Sequence, residues 1–558
     1  MDTPRQHFEK RKSLLKNERQ SFIEHYRELS DFVSPRRGRF LMTDRNKGDK
    51  RYGKIINSQA TLALRTLTSG MMAGITSPAR PWFRLATPDP DMMEYEPVKL
   101  WLNKVESIMR EIFNQSNLYN ALPVLYRELG LFGTGCLSQV DDFKDVARFY
   151  PYTVGSYMIA AGERGEVDTM YREFEMTVGQ IVEKFGARPD RSVDWSRISP
   201  TVKSMYERGS VDSWVPVVHA IEPNTTRNVR LLDAKNKPFR SVYYEAGSNN
   251  DKLLRASGFD DFPTMAPRWD VTNEDIYGTD CPGMAALGDV KALQTEEKRK
   301  AQAIDKMVNP PLKGPGTLTN KPISALPGGI TLFQQDPNTQ GLEPLYEVKP
   351  ELRGLLLDIQ AVEQRIDRAF YADLFLAISQ MEGVQPRNVM ELAERKEEKL
   401  LMLGPVLERL HGELLNKLID RTFAQMVAAD ILPPPPDELQ GSPLKVEYIS
   451  VLAQAQRAVG TAAIDRMALY ITGLVQGSGD PSYWDKFDAD QSIDEYGEMI
   501  GISPKVIRSD DKVEGLRAER AKQNQAAQLA SMAKPASDAM NAVSQAAEIA
   551  NGDQGGPF

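Results

Sequence analysis

A chain of 558 residues that did chemistry would need its scarce reactive side chains in useful places. The four histidines, His7, His25, His219 and His411, lie far apart, and no pair has the spacing of a metal site. The two cysteines, Cys136 and Cys281, are equally distant, which excludes a disulfide scaffold and a cysteine-based zinc site and suits a reducing compartment. The stretch GMMAGITS (70–77) echoes a phosphate loop but has neither the lysine nor the strand-before, helix-after setting that loop requires. GLFGTG (130–135) reads as a helix end turning into a strand. The acidic clusters DDFKD and FDDF read as solvated turns. Nothing favours a Ser-His-Asp set or a two-metal site. The sequence therefore predicts no catalytic residue, no metal and no cofactor.

Two other groupings carry physical chemistry of a different kind. Lys298, Arg299, Lys300 and Lys306 fall on one long helical segment. They can form a solvated face with pairs such as Glu296 with Lys300, or they can meet DNA phosphate when many copies come together. The stretch from Ser69 to Phe83 concentrates special backbone residues. Gly70 and Gly74 are four apart on one helical face, where a second backbone could approach closely. Pro78 and Pro81 stop the helix and set an extended exit, and Trp82 supplies a large apolar anchor.

These groupings must be held by ordered elements. The formal net charge is −8, so the whole chain is not a basic nucleic-acid clamp. No apolar window is long enough to span a membrane, and the N-terminus lacks the apolar core of a secretory leader. Residues 5–33, 55–76 and 96–133 read as amphipathic helices, and 136–275 as short strands at hairpin spacing with one helix, TVGQIVEKFG. Two long helices, 283–308 and 351–375, flank a proline- and glycine-rich insertion that turns strand-like at 330–348. A polar interruption, 376–388, leads to a third long helix over 388–430 that stops at four prolines. LKVEYIS reads as a strand, 450–477 as an alanine-rich helix, and the last 45 residues as a mobile or partner-dependent tail. The fold class is α+β.

Three segments carry a family resemblance. LTSGMMAGITSPARPWFRL (67–85) resembles the N-terminal signature of the portal proteins of short-tailed bacteriophages, the head-to-tail connectors. LYRELGLFGTGCL (125–137) resembles their helix-to-sheet passage, and the stretch 277–312, from YGTDCPGM to NPPL, resembles their entry into the first stem helix. The resemblance implies a portal-like subunit with a wing at 1–282, stem helices at 283–308 and 351–375, and a clip at 309–350. It further implies a tunnel loop and long wing helix within 376–444, a helical crown at 445–511 and a tail at 512–558.

Function follows the same resemblance. It implies a homo-oligomeric ring, a dodecamer, at one capsid vertex, whose channel passes double-stranded DNA during packaging and ejection. The expected partners are terminase, tail adaptor proteins, capsid or scaffold proteins and internal core proteins. The protein would reside in the virion and, during assembly, in the host cytoplasm. The alternative is another ring-forming virion or scaffold component without a DNA channel. Candidate channel residues are Lys298, Arg299, Lys300 and Lys306 on the stem and Gln380, Glu382, Gln385 and Arg387 on the tunnel loop. Candidate packing residues are Gly70, Gly74, Pro78, Pro81 and Trp82, and candidate clip contacts are Lys313, Lys321 and Asp336.

Overall fold

The computed structural model describes residues 3–40, 48–89, 95–190, 192–247, 251–272, 275–314, 343–345, 352–379, 403–439, 444–448, 451–500 and 512–526, with a few isolated positions besides. The chain forms two compact units. The first comprises Met1–Trp82, Met109–Ile431 and Ser450–Gln456; the second comprises Phe83–Ile108, Leu432–Ile449 and Arg457–Phe558.

In the first unit, helix α1 (Pro4–Val33) starts from a reciprocal cap. The Thr3 hydroxyl accepts from the Gln6 N–H, and the Thr3 N–H donates to the Gln6 side chain. Its buried stripe is Phe8, Leu15, Ile23, Tyr26, Leu29 and Val33. Helix α2 (Gln59–Ile75) buries Ala63, Leu64, Leu67 and Met71. The segment expected as one helix over 96–133 is two, α3 (Glu96–Gln115) and α4 (Leu118–Phe132). The break lies at Asn117, whose side-chain amide exchanges two hydrogen bonds with the Phe149 backbone, at 2.6 and 2.9 Å. That pairing ties the junction to a strand and competes with continued helix.

The middle of the chain is antiparallel sheet. Strands β2 (Leu137–Asp142) and β3 (Val146–Pro151) form a hairpin, and β4 (Tyr157–Ala161) and β5 (Val167–Thr177) another. Helices α5 (Val178–Gly186) and α6 (Pro200–Glu207) precede β6 (Trp214–Pro223), β7 (Phe239–Glu245) and β8 (Arg255–Phe259). A short β9 (Thr264–Met265) pairs with β2. The sheets run β3-β2-β9 and β4-β5-β6-β7-β8. Side chains alternate across the larger sheet with period two. Met158, Tyr171, Val218, Val242 and Tyr244 pack with Phe8 and Leu15 of α1. On the opposite face, Met176, Val215 and Val217 pack under Ile181 and Val182 of α5 and Val202 of α6.

Helix returns with α7 (Pro282–Val308). It is followed by a two-residue ladder, β10 (Leu312–Lys313) with β11 (Glu343–Pro344). Then comes α8 (Leu352–Ala369). Helices α7 and α8 run antiparallel: Arg365 bonds Asp289 at 3.0 Å, while Asp358 lies beside Glu296. The expected helix over 351–375 ends early. Tyr371 takes φ +53°, and α9 (Ala372–Ser379) starts afresh. Of the third long helix, 388–402 lies outside the described residues. The remainder is α10 (Gly404–Leu410), a π turn over His411–Leu415 and α11 (Asn416–Ala428).

In the second unit, β1 (Phe83–Ala86) pairs antiparallel with β12 (Lys445–Tyr448). The Leu85 N–H donates to the buried Glu106 carboxylate at 2.9 Å. Helix α12 (Val451–Ser478) begins in the first unit and continues in the second, where α13 (Ala489–Ile500) also lies. A further helical stretch covers 512–526, and Arg517 there forks onto Asp490 at 2.6 and 2.7 Å.

Candidate functional site

The helix pair α7/α8 has two chemically distinct ends. At its base the Gln294 side chain accepts from the N–H groups of Ile56 and Asn57 and donates to the Asn57 carbonyl. Asn57 donates to Glu297 and Glu363, at 3.2 and 2.8 Å, and Gln59 donates to Asp367 at 2.7 Å. The chain entering α2 is thereby locked onto both helices. Burial raises the Asp367 carboxyl above its usual range, and burial together with Asp358 does the same to Glu296. The base is acidic.

Away from the base, the candidate cations turn outward. Lys298, Arg299 and Lys306 are exposed. Lys298 and Lys306 make no ion pair among the described residues. Lys300 is the exception, and its partner differs from the expected one: it pairs with Glu297 at 2.5 Å, three residues back, rather than with Glu296. Apolar side chains are also exposed here: Ile304, Met307 and Val308 on α7, and Leu356 and Leu357 on α8. Lys313 faces Glu343 across the two-residue ladder at 3.6 Å. Gln380, Glu382, Gln385, Arg387, Lys321 and Asp336 lie outside the described residues.

The Ser69–Phe83 stretch is a helix end and a turn. Gly74 is buried, while Pro78 and Pro81 are exposed in the connection to β1. Trp82 is the anchor: 1% exposed, stacked on Phe113 at 6.0 Å between centroids, with its indole N–H donating to Tyr119 at 3.2 Å. At Gly70 the close neighbour is not a backbone. The Phe375 ring of α9 occupies the space a Cβ would need. Phe375 reaches that position because α9 restarts after Tyr371.

A close backbone approach that the sequence reading missed lies where α4 meets the start of α7. Gly133 caps α4 at φ +75°, and its carbonyl accepts from the Trp269 N–H at 2.8 Å. A Cβ on Gly278 would fall on the Gly133 backbone, and one on Gly283 would fall on the Leu131 carbonyl. The Gly278 N–H donates to the Thr134 hydroxyl at 2.8 Å, and the Cys281 thiol donates to the Leu131 carbonyl at 3.3 Å. LFGTGC and YGTDCPGM thus interlock, and α7 starts from this knot with Pro282 in its first turn. Gly133, Gly278 and Gly283, among the four glycines of these two short segments, were the readable signal. Burial pushes the Cys281 thiol up to about 12 and raises that of Cys136, so neither is poised as a nucleophile.

The π-containing helix is held to the sheets by buried polar bonds. Arg268 forks onto Glu413, at 2.6 Å to Oε1, and Arg421 donates to the Gln139 carbonyl at 3.1 Å. Gln139 donates to Thr422 and Gln425, at 2.8 and 2.6 Å. Two of the four histidines have structural partners: His7 lies 3.1 Å from Glu222, and the buried His219 stacks on Tyr243. Among the described residues, no group of three or more His, Cys, Asp or Glu side chains could hold a metal ion, and no helix is long and apolar enough to cross a membrane.

Known proteins resemble this chain along most of its length. The portal protein of Salmonella phage epsilon15 is 51% identical over 526 residues, 94% of this chain and 93% of that one. The probable portal protein of Bordetella phage BPP-1 is 47% identical over 514 residues, covering 92% and 90%. A chain from the virion of a native gene transfer agent particle aligns with a TM-score of 0.32 at 12% identity, covering 80% of this chain and 94% of that one, a likeness too weak to rest anything on. The family model for the bacteriophage head to tail connecting protein matches residues 5–507. The chain belongs to the family of bacteriophage head-to-tail connecting proteins.

Proposed function

We propose that the chain is the subunit of a portal: a homo-oligomeric ring, a dodecamer, seated at one capsid vertex, through which double-stranded DNA is packaged and ejected. The observation that carries this reading is the antiparallel α7/α8 pair. It is clamped at its base to α2, and it presents exposed apolar and cationic side chains away from that base. Ile304, Met307, Val308, Leu356 and Leu357 are costly to leave in water on a lone subunit, at ~25 cal/mol per Å². A neighbouring copy would cover them.

In this reading residues 1–282 form the wing, 283–308 and 351–375 the stem, and 309–350 the clip. Residues 376–444 carry the tunnel loop and long wing helix, 445–511 the crown and 512–558 the tail. Lys298, Arg299 and Lys306 would contribute sparse basic rings to the channel wall. A chain with net charge −8 otherwise repels DNA, and weak, sparse attraction lets DNA slide rather than stick. The clip would engage terminase first and tail adaptors later. Capsid, scaffold or internal core proteins would meet the remaining surface. The subunit acts without catalysis of its own, in the virion and, during assembly, in the host cytoplasm.

Negative-stain microscopy and mass measurement of purified protein test the reading. Annular particles with a central channel are expected. A subunit that stays monomeric at all concentrations refutes it.

A further inference from the structure

Strand β6 joins two exposed patches that the channel reading does not use. Its ten residues set the patches about 30 Å apart, at opposite ends of the five-stranded sheet. Beyond Pro223 the chain makes an excursion over 224–238 before β7. Side chains hold it in shape. The Asn224 amide donates to the Lys235 and Lys237 carbonyls at 3.0 and 3.1 Å, and the Asn236 side chain accepts from the Asn228 N–H at 2.8 Å. A loop tied this firmly nevertheless leaves Val229 73%, Leu231 52% and Leu232 95% exposed. Arg227, Arg230 and Lys235 are exposed beside them and make no ion pair among the described residues. The one acid between 225 and 236 is Asp233, and its carboxylate accepts from the Asn236 amide. The loop is therefore both apolar and cationic.

The other end of β6 has the complementary chemistry. Trp214 opens the strand opposite Thr177 of β5 and is 49% exposed. The chain turns from α6 toward it at Gly209, φ +78°, and the Val211 carbonyl accepts from the Gly179 N–H at 2.9 Å. Val211 and Tyr206 are exposed, and the Tyr206 ring meets Trp195 edge-on, with centroids 5.6 Å apart. Asp212 and Glu183, the latter one turn beyond Gly179 on α5, are exposed and make no ion pair among the described residues.

The cations at this end are mostly occupied. Lys203 pairs with Glu207 at 3.7 Å, and Lys184 turns from Glu183 to lie 4.8 Å over the Tyr243 ring. Asp212 and Glu183 then outnumber Arg208. Exposed aromatic rings beside free carboxylates receive arginine well, by ring-face and ionic contacts together, and the rings also cover aliphatic side chains. Each end of the strand thus offers what the other lacks.

We propose that in the assembled ring the Arg227–Lys235 loop of one copy docks on the Tyr206–Trp214 end of the next. Val229 and Leu232 cover Val211 and the exposed part of Trp214, and Arg227 and Arg230 face Asp212 and Glu183. The two patches differ and lie at opposite ends of one sheet, so the contact is head-to-tail and propagates around a ring. It rests on the ring reading above and adds a specific interface to it.

Paired cysteines test it in full-length protein. Both native cysteines are buried, which leaves introduced ones as the reactive pair. Rings carrying both Leu232→Cys and Asp212→Cys are oxidised mildly and run on non-reducing gels, beside each single variant. A disulfide needs Cα atoms within about 7 Å, so opposite ends of β6 cannot bond within one chain and any bond joins two copies. Most subunits should enter a ladder of covalent multimers, and the single variants should remain monomeric. The pair Val229→Cys with Val211→Cys repeats the experiment at a second contact. Intact rings whose subunits stay monomeric on the gel for both pairs overturn the docking and leave the ring reading standing. Rings that sediment with phosphatidylglycerol vesicles, and lose this in Leu232→Asp, would assign the loop to a lipid surface. In whole particles, a photoreactive maleimide on Leu232→Cys that labels only a protein other than the subunit would assign it to that partner. Either result also overturns the docking. Absence of rings from unaltered protein would instead overturn the ring reading.

Discussion

Glu128 sits on α4 among Leu125, Leu129 and Phe132 and is 1% exposed. One carboxylate oxygen accepts from the Val154 N–H at 3.0 Å, and the other has no hydrogen-bond partner. The nearest cation is Arg37, with its nitrogen 4.0 Å away. Arg37 and Arg127 favour the charged form, but burial outweighs them and raises the carboxyl from 4.5 to about 8. The folded subunit therefore holds a proton at neutral pH that the unfolded chain has lost. Stability from this group is fully present below about pH 4.5 and falls as pH rises toward 8, by ~1.4 kcal/mol per unit. At pH 7 the deficit is roughly 3 kcal/mol. Glu128→Gln keeps an acceptor for Val154 and removes the titration. The variant should match the parent near pH 4.5 and exceed it by roughly 3 kcal/mol at pH 7. Thermal unfolding of the unassembled subunit, followed by tryptophan fluorescence from pH 5 to pH 8, reads this as a gap that opens with pH. At this chain length the gap should reach about 2 °C or more. Parallel curves with a constant gap would show that Glu128 is ionised in the folded state and would refute the reasoning.

Other perturbations address the knot, the helix pair and the buried polar bonds. Gly278→Ala drives a methyl into the Gly133 backbone and should cost about 2–3 kcal/mol in denaturant unfolding of the subunit. Gly288→Ala, on α7 with open space at its Cβ position, should instead gain up to about 1 kcal/mol; equal effects at the two sites would contradict the packing described. Arg268→Ala leaves Glu413 without its forked partner in a largely buried site and should cost about 3 kcal/mol, and a loss near zero in the same assay would mean water already satisfies that carboxylate. Exchange of Lys298 and Lys306 for glutamate should leave ring yield unchanged and lower packaged DNA per particle. Unaltered packaging would reduce those lysines to a solvated surface.

Much of the helical plan is legible in the sequence because local rules decide it. Thr3, Pro4 and Gln6 announce the start of α1, and its apolar stripe keeps helical period to Val33. The uninterrupted run after Pro282 marks α7. Legibility fails where tertiary contacts decide. Tyr371 adopts φ +53° without a glycine or proline to signal it, packed beside Trp269 with ring centroids 6.1 Å apart. Asn117 breaks a helix by bonding a strand far along the chain. Glu128 had a readable signal, an acid at an apolar position of LYRELGLF, but its burial depends on α1, β3 and the turn at Val154 together. The residues three and four before Lys300 are both acidic, so helical spacing alone does not choose between them, and Lys300 takes Glu297.

The three segments that carried the family resemblance share a physical cause. Residues 125–137 and 277–284 meet at Gly133, Gly278 and Gly283, where backbones touch. Residues 67–85 meet the first of these through Leu67, which a Cβ on Gly130 would approach to 2.6 Å, and meet α9 where the Phe375 ring lies on Gly70. These contacts converge on the ends of α2 and α4 and on the start of α7. They fix the angle at which the helix pair leaves the sheets, while Gln294 and Asn57 fix its rotation. In a ring built by repetition, a small angular error in one subunit recurs in every copy and prevents closure. The glycines at these contacts therefore act through the geometry of the subunit, because a side chain at any of them would move one element against another.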